Sequence, residues 1–173
     1  MQRILVTYYS LSGNTERVAK DLAARLGADL QQVREHVERR GPLGYLKAAL
    51  DSLRERSAML GELERSAGDY DLVVVGTPIW AGNITPAVRT YLKTLRGQAR
   101  RVAFFTTSGS TDIARVLPTM ERLAGVAATG WVGFTDRELR NAAIHDRKLD
   151  DFVATLRGAP LPAPGPEFQH AHA

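Results

Sequence analysis

Apolar positions along this chain follow two rhythms that alternate. Short continuous runs come first: "RILVTY" at residues 3–8, Leu72–Val75 within "DYDLVVVGTP", "RRVAFFTTS" from Arg100, and "VAATGWVGFT" from Val126. Runs of this length, rich in β-branched residues and bounded by small ones, predict strands buried on both faces. "ADLQQVR" from Ala28 is a weaker strand candidate. Between the runs the spacing changes to that of a helix. Val18, Ala19, Leu22, Ala23 and Leu26 share one face, and Gly27 suits the helix C′ position. Leu46, Ala49, Leu50 and Leu53 repeat the pattern in "GPLGYLKAALDSLRER". "TPAVRTYLKTL" offers Thr85 as N-cap and Pro86 at N1. A helix is predicted over 111–125, with Pro118 bending or interrupting it. A last helix in "HDRKLDDFVATLRG" takes most of its apolar face from Ile144, Leu149, Phe152, Val153 and Leu156.

Strand and helix thus alternate about five times, which predicts an α/β fold: a doubly wound parallel sheet with right-handed crossovers and helices on both faces. With 173 residues, one domain is expected, over residues 1–157. Residues 158–173, "GAPLPAPGPEFQHAHA", lack periodicity and read as a flexible Pro/Ala-rich tail. His170 and His172 have no further ligands clustered around them, so no metal site is assigned.

Composition narrows the chemistry. No cysteine occurs, so disulfides, thiolate metal sites and thiol nucleophiles are excluded. The net charge is +4, but basic residues are spread among acids, as in "REHVERR". No basic stripe interleaved with aromatics is present, so no nucleic-acid partner is expected. The first ten residues lack a signal-peptide apolar core, and no apolar run approaches the ~20 residues of a membrane span. The expected location is cytoplasmic, without membrane insertion.

Ligands of open parallel sheets bind beyond the carboxyl ends of the strands. Three segments leave such ends: "SLSGNT", "GTPIWAGN" and "TTSGST". All are built mainly of small and hydroxyl residues. In the first, Ser10, Ser12, Asn14 and Thr15 offer neutral donors, and Gly13 permits a tight turn before a helix whose N-terminus favours an anion. Taken alone, this segment reads equally as a helix cap. In the second, Gly82 and Asn83 tolerate positive φ, while Trp80 either faces a flat ligand or simply covers the sheet end. The third suits close backbone approach and also supplies Ser110 or Thr111 as a helix cap. Their convergence is the stronger signal. Neither a Walker loop nor G-x-G-x-x-G occurs.

Together these loops resemble those of the flavodoxin-like flavoproteins. Ser10, Leu11, Ser12, Gly13, Asn14 and Thr15 are similar to the hydroxyl-rich FMN phosphate loop. Gly76 to Asn83 resembles the loop around the isoalloxazine ring, especially the T-P-x-x-F-G-N stretch of the FMN-dependent quinone reductases. Thr106 to Ser110 resembles the third flavin loop. The resemblance implies a flavodoxin-like sheet of five strands in order 2-1-3-4-5 and non-covalent FMN. Residues 10–15 would hold the phosphate; Pro78, Ile79, Trp80, Ala81, Gly82 and Asn83, with Thr107, Ser108, Gly109 and Ser110, would flank the ring.

Two departures shape the functional expectation. Electron-transfer flavodoxins are usually acidic and often place an aromatic in the third loop; this chain is basic and its third loop has none. Fully reduced FMN is anionic, so nearby acids disfavour it. Residues 76–83 and 106–111 contain no Asp or Glu, and Asp112 is the nearest acid in sequence. A less negative potential for full reduction is therefore expected, suited to hydride chemistry with NAD(P)H as donor and a quinone or similar acceptor. The alternative is a carrier that docks on redox-protein partners. No residue is required as nucleophile, and His36 and His145 fall outside the loops and are assigned no catalytic role. Tyr45 reads more simply as a core or surface tyrosine than as a ring neighbour. Oligomerisation is left open.

Overall fold

A computed structural model of the chain describes residues 2–35 and 58–158. The helix expected near residues 41–56, His36, Tyr45 and the tail histidines lie outside the described residues.

The strands are β1 (Ile4–Tyr8), β2 (Asp29–Gln32), β3 (Leu72–Trp80), β4 (Asn83–Ile84), β5 (Val102–Ser108) and β6 (Ala128–Thr135). Their order across the sheet is β2-β1-β3-β5-β6, all parallel, with β4 paired antiparallel to the end of β3. Setting aside that two-residue strand, this is the 2-1-3-4-5 order implied by the loop resemblance. The described helices are α1 (Asn14–Leu26), α2 (Pro86–Thr94), α3 (Leu117–Ala124), α4 (Asp136–Leu139) and α5 (Ala142–Gly158).

Alternating strand residues feed two cores, one on each face. Leu5, Val73, Val75 and Phe104 pack with Leu92 of α2 and Met120 of α3. Val6, Val74 and Phe105 pack with Val18 and Leu22 of α1 and Phe152 of α5. Each such side chain contributes about 1.5–3 kcal/mol by leaving water, which is why the central strands are apolar throughout rather than alternating.

Three local expectations are corrected. The strand expected to stop at Val75 continues through Gly76 and Pro78 to Trp80. Gly76 is a requirement of the sheet: a Cβ there would stand 2.0 Å from Phe105 Cζ. Pro78 is tolerated because β1 pairs only as far as Gly76, so the ladder beyond has fewer donors to satisfy. The helix expected over 111–125 is interrupted, but at Val116, ahead of Pro118 rather than at it. A 3₁₀ turn at Ile113–Arg115 comes first, and Pro118 lies in the first turn of α3, where its missing N–H costs nothing. In α5 the face turned inward carries His145, Leu149, Phe152, Val153 and Leu156, while Ile144 is only partly buried. Gly27 (φ 62°) and Thr85, whose hydroxyl accepts from Val88 N, close α1 and open α2 as the sequence predicts.

Candidate functional site

The loops leaving β1, β3 and β5 meet at one edge of the sheet and wall a single open cavity. Leu11, Ser12 and Asn14 line it from the first loop; Pro78, Ile79 and Trp80 from the second; Thr107, Ser108 and Gly109 from the third. Asp136 completes the lining from the end of β6.

The first loop is shaped by its own small residues. Ser10 Oγ accepts from Gly13 N at 3.1 Å, which folds the chain back before α1. Gly13 is the helix N-cap with φ 93°, a left-handed conformation that favours glycine. Having no side chain, it makes no side-chain cap bond. The plain helix-cap reading of the serines is therefore wrong: Ser10 fixes the turn and no hydroxyl caps α1. The first helical bond of α1 runs from Arg17 N to Gly13 O at 2.9 Å. The amides of the turn before it have no intrahelical acceptor by construction. An uncapped helix start opening on a cavity is the donor set that an anion fits.

Thr15 stands behind the cavity. It is 1% exposed, and its Oγ1 shares a hydrogen bond of 2.8 Å with Oγ1 of Thr107. This bond ties the first loop to the third and aims the lining residue Thr107. Asn14 Nδ2 donates to Asp136 Oδ1 at 3.1 Å, tying the same loop to α4.

The second loop is a hairpin. Trp80 pairs with Asn83, and the two residues between them have positive φ, Ala81 at 48° and Gly82 at 76°. Two such residues match a type I′ turn, the usual two-residue hairpin connection. Trp80 is 7% exposed and meets Tyr9 edge to face, with centroids 5.7 Å apart at 80°. The indole is a fixed wall, serving both the sheet end and the cavity. In the third loop Ser108 Oγ donates to Thr111 O at 2.7 Å. The cap of the following 3₁₀ turn is Asp112, accepting from Ala114 N at 2.9 Å, rather than Ser110 or Thr111. Ser110 lies on a neighbouring open hollow with Trp131 and Phe134. Ser10, Gly13 and Thr15 support the cavity from behind, and Ala81, Gly82 and Asn83 form the hairpin tip.

Two site residues escaped the sequence reading. Asp136 brings a carboxylate into a cavity otherwise lined by neutral groups. It is held by a capping box: Thr135 Oγ1 accepts from Glu138 N, and Glu138 Oε2 accepts from Thr135 N. Burial raises the Glu138 pKa, but hydrogen bonds from Thr135 and Lys148 outweigh it and hold the carboxyl below its ordinary range. Applying the carboxyl-end rule to the fifth long strand as well, "FTDRE", would have found Asp136. The second is Arg115, whose guanidinium lies over Gly82. Among the described residues no group of three potential metal ligands occurs, and no helix is long and apolar enough to cross a membrane.

A family model described as "Flavodoxin" matches residues 3–156. Solved structures share the fold. A flavoprotein from Lactobacillus acidophilus NCFM, determined in complex with FMN, has a TM-score of 0.69 at 21% identity, covering 88% of this chain and 99% of that one. A protein assigned as a flavoprotein, from Bacteroides eggerthii DSM 20697, has a TM-score of 0.65 at 24% identity over 88% and 98%. A flavodoxin, WrbA-like protein from Agrobacterium tumefaciens has 0.53 at 14% identity over 92% and 100%.

Proposed function

This chain belongs to the flavodoxin family, and from that premise we propose that it is an FMN-dependent oxidoreductase that passes electrons from NAD(P)H to a quinone or similar acceptor. The observation that carries the cofactor is the single cavity walled by all three loops, with an uncapped helix start at one end. The cofactor is FMN. Ser12, Asn14 and the first amides of α1 hold the phosphate, using neutral donors and the helix dipole in place of a lysine or arginine. Thr15 keeps Thr107 oriented. Trp80 and Ile79 on one side, with Ser108 and Gly109 on the other, form the walls between which the ring is held.

Bound FMN supplies hydride acceptance and donation, and the protein supplies binding, orientation and field. None of the residues lining the cavity is placed as a nucleophile. What the chain controls is the charge around the ring. The hairpin 78–83 and the segment 107–110 contain no acid. Asp136 sits where α1 begins, its Oδ1 bonded to Asn14 and its Oδ2 3.9 Å from the position a Cβ would take on Gly109, so one acid stands between the phosphate end and the third loop while the hairpin side has none. This distribution favours the anionic reduced ring more than an acid-rimmed site does, which supports two-electron chemistry over a low-potential carrier.

The test is anaerobic mixing of FMN-loaded protein with NADH or NADPH. Bleaching of the flavin absorbance by either nucleotide, restored by a quinone, is the expected result. A flavin that neither nucleotide reduces, yet exchanges single electrons with a redox protein, would replace this reading with the carrier.

A further inference from the structure

Arg115 lies just beyond the third loop, in the 3₁₀ turn Ile113–Arg115, and its side chain runs to the tip of the second. The position a Cβ would take on Gly82 is 3.1 Å from Arg115 Nε, 3.2 Å from Cζ and 3.2 Å from Nη2. Nearly equal distances to three atoms of one plane mean that the guanidinium rests face-on over the glycine. Gly82 is favoured at this position by its φ of 76°, and a side chain there would have to displace the Arg115 guanidinium. Arg115 forms no side-chain hydrogen bond or ion pair with any described residue. Asp112, in the same turn, accepts instead from the backbone of Ala114. A long, solvated cation has no need to lie flat on a hairpin tip, and many such side chains extend into water.

The two segments it joins are the walls of the cavity. β3 delivers Pro78, Ile79 and Trp80 to one side, and its hairpin tip carries Gly82. The third loop delivers Thr107, Ser108 and Gly109 to the other and leads into the turn of Arg115. We propose that Arg115 is a clasp between the two ring-flanking loops whose charge, paired with no described carboxylate, selects the fully reduced, anionic form of the flavin over the oxidised form. This inference rests on the FMN reading above. Its chemistry is one-sided: the oxidised ring is neutral and gains nothing from a cation, whereas the reduced ring carries negative charge and gains Coulomb energy. Arg115 is a positioning residue by this account and exchanges no proton. Its exposure means that solvent and salt screen part of the effect.

The test is a charge ladder at one position: R115K, R115Q and R115E, each loaded with FMN and titrated potentiometrically at low and high salt. As exposed substitutions these should fold normally. R115Q should lower the affinity ratio of reduced to oxidised FMN roughly three- to tenfold, which is about 15–30 mV in the two-electron midpoint. R115E should roughly double that shift and R115K should nearly abolish it. Differences along the ladder should shrink at high salt. Midpoints that stay equal across the ladder would overturn the proposal. So would R115K falling as far as R115Q, since that would assign the effect to packing of the guanidinium. Wild-type protein that takes up no FMN would overturn the cofactor reading and this inference together. FMN uptake with a flat ladder would overturn this inference alone.

Discussion

Ser12 and Thr15 occupy the same loop, yet the structure predicts that they fail in different ways. Ser12 is exposed, lines the cavity and makes no hydrogen bond to a described residue. Thr15 is 1% exposed, and its hydroxyl is paired with Thr107 at 2.8 Å. On the proposed reading, replacing Ser12 with alanine removes one donor to the phosphate and nothing from the fold. Folding stability should stay within about 0.5 kcal/mol. A hydrogen bond to a charged group contributes about 1.5–3 kcal/mol, so the FMN dissociation constant should rise roughly 10- to 150-fold. Replacing Thr15 with valine keeps the volume and leaves a buried Thr107 hydroxyl without its partner. That should cost about 1–2 kcal/mol of stability, or roughly 2–8 °C in Tm for a domain of this size. Calorimetric titration with FMN and with riboflavin, beside urea unfolding, separates these effects. Riboflavin lacks the phosphate, so its affinity for the Ser12→Ala protein should be unchanged. An FMN affinity within twofold of wild type, or an equal loss for riboflavin, would refute the phosphate assignment of Ser12.

Other consequences can be read the same way. Gly76→Ala forces a methyl against the Phe105 ring at 2.0 Å; overpacking of this kind should cost about 3 kcal/mol, and unfolding within 0.5 kcal/mol of wild type would contradict it. Asp136→Asn removes a negative charge from the cavity, so FMN should bind roughly two- to fivefold more tightly with riboflavin unchanged; a parallel gain for riboflavin would contradict the repulsion. His145 is 1% exposed, its Nε2 lacks a hydrogen-bond partner, and it packs on Phe134. Burial first, then the Arg17 charge, lowers its pKa from the ordinary 6.5, against the opposing pull of Asp21 and Asp146. A depressed histidine pKa stabilises the fold above the unfolded value and loses that contribution as pH falls through the folded one. Resistance to urea unfolding should therefore fall below about pH 6.5, and His145→Phe should flatten that acid limb; an unchanged limb would point to other groups.

The sheet was legible because its central strands are buried on both faces and leave no polar alternation to confuse the period. The limits of β3 were not. Gly76 and Pro78 are local stop signals, overruled by Phe105 on the neighbouring strand and by the early end of β1. The three loops were legible as a group because small and hydroxyl residues recur at strand ends. Their internal division of labour was not, since only the fold shows that Ser10 turns the chain while Thr15 braces Thr107. Asp136 meets Asn14 across 122 residues of sequence, and Arg115 meets Gly82 from a different loop. Asp136 was within reach of the carboxyl-end rule applied to "FTDRE", whereas no local pattern marks the guanidinium that the tertiary fold lays over Gly82.

The central claim is that this cavity is built around the phosphate of FMN. The most direct measurement is titration of wild-type protein, stripped of ligand, with FMN and with riboflavin under the same conditions, followed by flavin fluorescence. FMN should bind at least about a hundredfold more tightly, corresponding to roughly 2.7 kcal/mol for the uncapped amides and Ser12 acting on one anion. Equal affinities, or no binding of either, would contradict the account.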